Sequence, residues 1–229
     1  MVLEERDYRP LVVFDMDGVL VEERSSWRRI HHHLGTDNED SFLAYMRGEI
    51  DDLEFMARDI KRWLDSDPGL NRSSLEKILY GSRRMIEFPD ATISLKGKGI
   101  ETVIISGGID ILARKLAIEG GIGSILANGI EFDGGGLLTG KGILRVPLRD
   151  KGSVLKKFID ERGPFYPVLS VGDSPVDITM FDISDISIAF RPESKKVSDS
   201  STITIEKGGL GDVEREIDKQ LSKVHHKLL

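Results

Sequence analysis

The sequence contains no cysteine. This absence excludes disulfides, thiolate nucleophiles and cysteine-based zinc or iron-sulfur sites. Any bound metal must therefore use oxygen or imidazole ligands. The sequence also lacks a long apolar run: residues 1–10 are charged, without the apolar segment of a signal peptide. No later stretch has the roughly 18 apolar residues that a spanning helix requires. We therefore expect a cytoplasmic protein with no membrane partner.

An excess of positive charge is absent as well. The chain has 32 Lys and Arg against 39 Asp and Glu, and its formal net charge of -7 has the wrong sign for a protein that binds polyphosphate backbones. We expect no nucleic-acid partner. The 39% hydrophobic and 31% charged content is typical of ordinary globular proteins. A length of 229 residues suits one core with an inserted or appended piece, as a monomer or a homodimer.

Four short apolar runs end in polar or glycine-containing loops, which is the pattern of buried parallel strands. They span residues 11–14, 100–105, 168–171 and 186–190. Helical stretches lie between them, such as residues 109–119 and 153–161. The alternation of strand and helix predicts an α/β fold with a doubly wound parallel sheet. Ligands bind such sheets beyond the carboxyl ends of the strands.

Residues 22–87 break this alternation, because their apolar positions recur at helical spacing. We predict a helical insertion that contains one amphipathic helix from about Ile50 to Leu64. Three glycines at 134–136 predict a β-hairpin within residues 127–147. Residues 211–229 have the pattern of a charged amphipathic helix over the core.

Three consecutive histidines, His31 to His33, point to different sides of a helix and rarely close one metal coordination sphere. We predict that these histidines belong to a solvated surface. The same interpretation applies to His225 and His226 near the end of the chain.

Four polar motifs follow predicted strand ends or precede a predicted helix. In chain order they are FDMDG at 14–18, SGG at 106–108, KG at 151–152 and GDSPVD at 172–177. Each motif alone is weak evidence, whereas the ordered combination is specific. Because the carboxyl ends of parallel strands meet at one edge of a sheet, we expect the four motifs to converge on one crevice.

The residue types in these motifs suit phosphoryl transfer. Asp15 and Asp173 are predicted side-chain ligands of Mg²⁺, which prefers oxygen ligands and shares a substrate phosphate. The metal and Lys151 would offset the repulsion between a carboxylate nucleophile and a phosphate dianion. Ser106 and the Gly107 amide would donate hydrogen bonds to the phosphate oxygens.

A second acid, Asp17, stands two residues after Asp15 and can face the same phosphate once the chain leaves the strand. It would protonate the leaving alkoxide and then activate water against the phosphorylated Asp15. The predicted reaction is the hydrolysis of a small phosphorylated metabolite in two displacements, through an aspartyl-phosphate intermediate.

The four motifs resemble the haloacid dehalogenase superfamily, whose phosphatases carry DxDx, a Ser or Thr, a Lys and a GDxxxD-type loop. The resemblance covers residues 10–190. It implies a Rossmann-like catalytic core made of residues 1–21 and 88–229, with residues 22–87 as a helical cap over the active site. The second cap position of the family, between Ser106 and Lys151, holds only the predicted hairpin.

The resemblance also implies a role for each motif residue. Asp15 is the nucleophile and a metal ligand, and Asp17 is the acid and base, with its backbone carbonyl completing the metal shell. Asp173 is a metal ligand that Asp177 supports. Ser106, Gly107 and Lys151 are the residues that bind and stabilise the phosphate.

Within the superfamily, the segments SGGID and VGDSPVDITMF are most similar to those of the phosphoserine phosphatase group. The sequence departs from that group nine residues after the nucleophile, where the group has a Glu that holds the substrate amine. Here that position is Arg24, which follows Glu23. The Asn common in the last motif of the group is Val176.

The cap arginine that grips the serine carboxylate in that group has no single counterpart. Arg58 and Arg62 are near candidates, and Asp59 is a third residue that can occupy its place. Glu23, Arg24 and Arg58 are the predicted substrate contacts. The expected substrate is phosphoserine or a related small phosphomonoester.

Other functions stay open. The DGV that follows the nucleophile is common among sugar phosphate mutases and their phosphatase relatives, so a phosphomutase is one alternative. A phosphoacceptor signalling domain also phosphorylates an Asp at a strand end, but it needs neither a helical cap nor an acid two residues later. A non-catalytic phosphate-binding regulatory protein is a further alternative on the same scaffold. A dehalogenase is disfavoured, because Asp17 has no evident role when the leaving group is a halide.

Overall fold

Seven strands form one sheet in the computed structural model, which describes residues 9–228 of the chain. The strands are β1 Leu11–Phe14, β2 Glu101–Ile109, β3 Ser124–Phe132, β4 Leu138–Ile143, β5 Val168–Gly172, β6 Ile186–Phe190 and β7 Ile203–Ile205. The helices of this part of the chain are α1 Ser26–Leu34, α2 Glu39–Arg47, α3 Asp52–Ser66, α4 Arg72–Tyr80, α5 Asp90–Gly97, α6 Asp110–Gly120, α7 Lys151–Arg162, α8 Ile178–Phe181, α9 Lys195–Asp199 and α10 Leu210–Leu228. None of these described helices is long and apolar enough to cross a membrane. The expectations for residues 1–8, and for Leu229 at the end of the predicted last helix, lie outside the described residues.

The order of the strands across the sheet is β4-β3-β2-β1-β5-β6-β7. All neighbouring strands are parallel except β3 and β4, which are antiparallel. The chain first builds outward from β1 through β2 and β3, and then returns to β5 on the other side of β1. The carboxyl ends of the neighbouring strands β1 and β5 therefore form the topological switch point, where such sheets bind ligands. The predicted α/β fold with a doubly wound sheet is confirmed.

The central strands are buried on both faces, as their continuous apolar runs predict. In β1, Val12 and Phe14 join one hydrophobic cluster, whereas Leu11 and Val13 join the cluster on the opposite face. This alternation follows from the two-residue period of a strand. Asp15 directly follows Phe14, the last residue of β1, so its carboxylate lies at the carboxyl end of this strand.

Four helices, α1 to α4, occupy the chain between β1 and α5. The predicted amphipathic helix is α3, which begins after Asp51, whose side chain accepts a hydrogen bond from the Glu54 N–H. Its buried face includes Ile60 and Trp63, and both belong to the same hydrophobic cluster as Phe14 of the sheet. The inserted helices and one face of the sheet therefore share a single core.

The insertion joins the core through two paired segments, residues 20–22 and 83–85, which we call the linker ribbon. The Glu22 N–H donates to the Arg83 carbonyl (2.9 Å), and the Met85 N–H donates to the Leu20 carbonyl (3.0 Å). Val21, at the centre of the ribbon, forms a backbone bridge with Arg84 and another with Asp17.

Two parts of the sheet differ from the sequence-based expectation. The antiparallel pairing of the predicted hairpin runs from Gly129 to Ile143, within residues 127–147, but its first strand, β3, begins earlier, at Ser124, where it pairs in parallel with β2. Ile125 packs on one face of the sheet and Leu126 on the other, which makes the first half of β3 a core strand. The edge strand β7 was not predicted, because three residues between polar segments carry too short a pattern.

Candidate active site

Three aspartates meet at the switch point between β1 and β5. Asp15 follows β1, and Asp173 follows β5 directly. Asp177 ends the short 3-10 turn Pro175–Asp177. One carboxylate oxygen from each residue lies within 4.8 Å of the others, and all three side chains are buried. The structure thus brings together acids that are far apart in the sequence.

Lys151, the first residue of α7, lies beneath these carboxylates and is only 1% exposed. Its Nζ is 3.0 Å from Asp15 Oδ1 and 2.7 Å from Asp177 Oδ1. Burial alone would lower the pKa of Lys151, but the two carboxylates raise it above its usual value. The lysine is therefore a fixed positive charge next to the predicted nucleophile.

The position after this lysine requires glycine for a steric reason. The Gly152 N–H donates to Thr179 Oγ1 (3.1 Å), and a Cβ at position 152 would lie 2.2 Å from the Thr179 carbonyl oxygen. Any side chain at this position would push the start of α7 away from α8. Gly152 therefore keeps Lys151 within reach of the acidic cluster.

Both carboxylate oxygens of Asp177 already have hydrogen-bond donors. Oδ1 faces Lys151, and Oδ2 accepts from the Asp173 N–H (3.1 Å), the Ser174 N–H (3.0 Å) and the Ser174 hydroxyl (2.9 Å). Asp177 thus holds the loop that carries Asp173. This arrangement suits the supporting role that the sequence predicts for Asp177.

Asp17 is held by a residue that the sequence analysis did not identify. The N–H and the hydroxyl of Ser26 both donate to Asp17 Oδ2 at 2.9 Å, and the Ser26 hydroxyl accepts from the Ile109 N–H (3.0 Å). Asp17 Oδ1 is buried and has no hydrogen-bond partner among residues 9–228. The pair Ser25-Ser26 before α1 resembles an ordinary helix N-cap, and Ser25 does cap the helix, so only the structure reveals the second role of Ser26.

The environment of Asp17 raises its pKa to about 7. Burial is the main cause and the charge of Asp15 adds to it, whereas the hydrogen bonds from Ser26 act in the opposite direction. A carboxylic acid with this pKa is about half protonated at neutral pH, whereas an ordinary aspartate is almost fully ionised there. It can therefore act as a general acid and, once ionised, as a general base.

The SGG motif lies at the carboxyl end of β2, beside Asp15. Ser106 is buried, and its hydroxyl accepts a hydrogen bond from the Gly108 N–H (3.1 Å). The Gly107 carbonyl accepts from Trp27 Nε1 (3.1 Å) and from Asn128 Nδ2 (3.2 Å). Asn128 also bonds to the backbone of residues 145 and 146, so it fixes the glycine loop to the segment that leads to Lys151. Asn128 lies within the predicted hairpin segment, residues 127–147, where the sequence carries no signal for this side-chain role.

The acidic cluster fits a hard divalent cation. Burial raises the pKa of Asp15 to about 6, against the effect of Lys151, and burial followed by the charges of Asp177 and Asp15 raises the pKa of Asp173. These shifts mean that the cluster carries more negative charge than its neighbours offset, which a cation would relieve. All the donors are oxygen atoms, the ligand type that Mg²⁺ prefers.

Gly18 allows the loops that carry Asp15 and Asp173 to approach each other. Its φ of +78° lies in the left-handed region, and a Cβ there would lie 2.2 Å from Asp173 Oδ2. The loop after β1 can therefore pack directly against the Asp173 carboxylate only with glycine at position 18.

Of the three predicted substrate contacts, the structure brings only Arg24 to the acidic cluster. Arg24 Nη1 donates to Asp173 Oδ2 (2.6 Å). The Glu23 carboxylate contacts the Arg29 guanidinium and the Arg83 N–H, which ties the linker ribbon to α1. Arg58 is exposed on α3 and pairs with Glu54 (2.8 Å). Its role in substrate binding stays a prediction.

The prediction that His31 lies on a solvated surface is wrong. His31 is buried and packs edge-on against Trp63, with 5.3 Å between ring centroids. Its Nδ1 is 2.8 Å from Thr36 Oγ1, and its Nε2 is 3.4 Å from Asp59 Oδ1. One of three consecutive helical residues must face inward, and the apolar face of α1 continues from Ile30 to this histidine.

Comparisons with known proteins agree with this geometry. A family model described as haloacid dehalogenase-like hydrolase matches residues 12–182. A phosphoserine phosphatase of Archaeoglobus fulgidus is 31% identical over 203 residues, which cover 83% of this chain and 56% of that protein. A phosphoserine phosphatase of Methanocaldococcus jannaschii is 27% identical over 214 residues, 90% of this chain and 96% of the relative. The chain thus spans little more than half the length of the Archaeoglobus relative.

The fold also occurs in solved structures. One described as a phospho-aspartyl intermediate analogue of phosphoserine phosphatase has a TM-score of 0.73 and 23% identity, over 91% of this chain and 99% of that one. At 23% identity, the similarity to this solved structure shows the fold alone. The predicted resemblance to the haloacid dehalogenase phosphatases, and to the phosphoserine phosphatase group among them, is confirmed by these matches, and the relatives indicate a phosphatase. Since the family model spans all four motifs, the chain belongs to the haloacid dehalogenase-like hydrolase family.

Proposed function

We propose that this chain is a Mg²⁺-dependent phosphomonoester hydrolase that acts on a small metabolite through an aspartyl-phosphate intermediate, in the manner of phosphoserine phosphatase. One observation carries the proposal: a buried acidic cluster and a buried lysine surround Asp15 at the switch point, next to a second acid, Asp17, whose pKa is raised to about 7. This combination provides a nucleophile, a positive charge and a proton donor in one crevice.

In the first step, Asp15 attacks phosphorus, and the bond from phosphorus to the ester oxygen breaks as the new bond forms. Asp17 Oδ1, which has no hydrogen-bond partner among the described residues, transfers its proton to the leaving oxygen. Lys151 and Ser106 bind the phosphoryl oxygens. Asp15, Asp173 and the Asp17 carbonyl would hold a divalent cation, which would neutralise further negative charge on the phosphate.

In the second step, Asp17 is ionised and accepts a proton from water. The water oxygen attacks phosphorus, the bond to Asp15 breaks, and inorganic phosphate leaves. Asp17 returns to its protonated form, so the cycle closes without any other reactant.

We also propose that residues 22–87 form the cap of this site, with residues 1–21 and 88–229 as the catalytic core. Support comes from the position of α1, since Ser26 bonds to Asp17 and Trp27 bonds to Gly107. The cap therefore contributes side chains to the crevice. A cytoplasmic location and the absence of a nucleic-acid partner stay predictions.

The test is release of inorganic phosphate by purified protein from a panel of small phosphomonoesters that includes phosphoserine and phosphoglycolate. We expect turnover with Mg²⁺, none with EDTA, and loss of activity in Asp15→Asn. Asp182→Asn, which removes an exposed carboxylate after α8, is the matched control and keeps activity. Acid-quenched samples examined by mass spectrometry should carry a phosphoryl group on the peptide with Asp15.

The same assay separates the alternatives. A phosphomutase returns the phosphate to its substrate and so gives an isomeric ester instead of free phosphate. A regulatory protein binds phosphate without turnover. Folded protein that hydrolyses no ester of the panel would contradict the proposal.

A further inference from the structure

An open cleft, which we call the helical cleft, lies between α1, α4 and the loop that joins α3 to α4. Its volume is about 420 Å³, within the range of pockets that hold small metabolites. Leu34, Leu70 and Ile78 form its apolar wall, one residue from each of these three segments. None of its described lining residues belongs to the four motifs around Asp15. The helical cleft is therefore a place separate from the proposed active site.

Most polar side chains of the helical cleft are basic, although the whole chain has a net charge of -7. Arg29, His33 and Lys77 line it, against a single acid, Asp67. That acid is already used within its own loop, because Asp67 Oδ1 accepts the Gly69 N–H (3.0 Å). The helical cleft therefore favours an anion, in contrast to the acidic cluster of the active site.

The Arg29 side chain is held in one orientation. Its Nε donates to the Ile78 carbonyl (2.7 Å), and its Nη1 contacts the Glu23 carboxylate. The side chain is 25% exposed, and its third nitrogen, Nη2, makes no hydrogen bond within residues 9–228. A guanidinium that is anchored in this way binds an oxyanion with little further loss of side-chain freedom.

Lys77 supplies a positive charge that no neighbour offsets. It is exposed on α4, and its ammonium group forms neither an ion pair nor a hydrogen bond in the part of the chain that the structure describes. Ser74 lies one turn earlier on α4 and also lines the helical cleft. Its hydroxyl is 3.4 Å from Asn71 Oδ1, a long contact that leaves it free to turn toward a ligand. A guanidinium, an ammonium and a hydroxyl together suit the three terminal oxygens of a phosphate group.

Glu23 connects the helical cleft with the active site. Its carboxylate contacts Arg29 and also accepts the Arg83 N–H of the linker ribbon (3.1 Å). Its backbone carbonyl accepts the Gly18 N–H (2.8 Å), and Gly18 directly follows Asp17. An anion bound to Arg29 competes with the Glu23 carboxylate for the same guanidinium. Occupation of the helical cleft should therefore weaken the contact between Arg29 and Glu23.

We propose that the helical cleft binds a phosphate-bearing anion, either free phosphate or the phosphate group of a small metabolite. Its occupation is relayed through Arg29 and Glu23 to the linker ribbon. This second site goes beyond the proposed hydrolysis and requires neither metal nor turnover. The apolar wall of Leu34, Leu70 and Ile78 allows the anion to carry a short hydrocarbon chain.

The test is a titration of the isotope-labelled full chain in EDTA, followed by the amide chemical shifts. Without a cation, the acidic cluster around Asp15 repels anions, so the signals report the helical cleft. The probes are inorganic phosphate, butylphosphonate and pentanoate, the carboxylate analogue of butylphosphonate. We expect both phosphorus compounds to shift the amides of Leu34 and Ile78 to saturation, and the Arg83 amide with the same dissociation constant. Tighter binding of butylphosphonate than of phosphate identifies a metabolite as the ligand, and equal binding identifies free phosphate.

Lys77→Gln should weaken the binding of phosphate by at least about fivefold, because it removes one charge-assisted contact. Lys156→Gln removes the same charge from an exposed position on α7, and it should keep the wild-type affinity. Equal affinity in wild type and Lys77→Gln, or no saturable shift at Leu34 and Ile78, overturns the site.

The remaining outcomes test the ligand class and the relay. Pentanoate that binds as tightly as butylphosphonate overturns the assignment to phosphate. Shifts at Leu34 and Ile78 without a shift at Arg83 overturn the relay. Since every measurement is made without metal, none of these outcomes depends on whether the protein hydrolyses phosphomonoesters.

Discussion

Arg24 donates a hydrogen bond to Asp173 across 149 residues of sequence, with 2.6 Å between Nη1 and Oδ2. Asp173 is 2% exposed, whereas the Arg24 side chain is 44% exposed and also lies 3.5 Å from Glu193. The guanidinium thus approaches the acidic cluster from the solvent side. It uses an oxygen of a carboxylate that we propose as a metal ligand.

Removal of this guanidinium should strengthen metal binding. For Arg24→Ala we expect Mg²⁺ affinity to rise about three- to tenfold, because a half-exposed ion pair that competes for Asp173 contributes about 1 kcal/mol. Calorimetric titration of Mg²⁺ into the metal-free protein measures the change. Arg83→Ala removes the same charge from an exposed arginine that pairs with Glu22, and it serves as the control. A similar rise in Mg²⁺ affinity in both variants would mean that the effect comes from long-range charge and not from the contact between Arg24 and Asp173.

Loss of the buried lysine should cost both activity and stability. Lys151→Met leaves Asp15 and Asp177 buried without their positive partner, and removal of one member of a buried ion pair typically costs about 3–5 kcal/mol. Urea denaturation at neutral pH gives the difference in unfolding free energy. Lys157→Met, at an exposed position of the same helix, should change that free energy by less than about 0.5 kcal/mol. A Lys151→Met protein as stable as the wild type would contradict the role of Lys151.

The pH above which activity falls should be set by the pKa of Asp17. Since the acid must be protonated in the first step, kcat/KM should fall above the pKa of about 7. The Ser26 hydroxyl stabilises the ionised form and so lowers this pKa. In Ser26→Ala the pKa rises, the acid keeps its proton to higher pH, and the alkaline limb should move up by about 0.5 to 1 pH unit.

Ser25→Ala is the matched control for this pH profile, because Ser25 bonds to the Arg28 N–H and not to Asp17. Ser25→Ala should leave the alkaline limb of the kcat/KM profile at the wild-type pH, even when it weakens α1. A limb that stays at the wild-type pH in Ser26→Ala would assign the alkaline limit to another group.

Metal removal should make the stability of the protein depend on pH. In EDTA, Asp15, Asp17 and Asp173 have raised pKa values in the folded state, whereas an ordinary aspartate has a value of 3.8. Between about pH 4 and 7 the folded protein therefore binds more protons than the unfolded chain, so its unfolding free energy falls as pH rises, by up to about 1.4 kcal/mol per pH unit for each group.

Saturating Mg²⁺ should flatten this dependence, because the bound cation favours the ionised carboxylates in the folded state. Urea denaturation at several pH values, with EDTA or with Mg²⁺, provides the comparison. Stability in EDTA that rises with pH over this range would contradict the assigned shifts.

The sequence was sufficient to predict the strand ends that carry Asp15 and Asp173, because an apolar run followed by an acid is a local signal. It also predicted the start of α7 beside Lys151. Contacts between side chains distant in the chain had no such signal. Ser26 bonds to Asp17 only because α1 begins where the chain turns back over β1. Likewise, the burial of Asp59 and His31 depends on how α1 packs against α3.

The linker ribbon has a mechanical consequence for the inserted helices. A domain tied by a single flexible strand can swing without disturbing what lies below it. Here both connections are bonded to each other, and Val21 at their centre is bridged to Asp17 as well as to Arg84. A displacement of the helices must therefore distort the ribbon, and the distortion reaches the backbone of Asp17, the proposed proton donor. The position of the inserted helices and the orientation of the Asp17 carboxylate are in this way mechanically coupled.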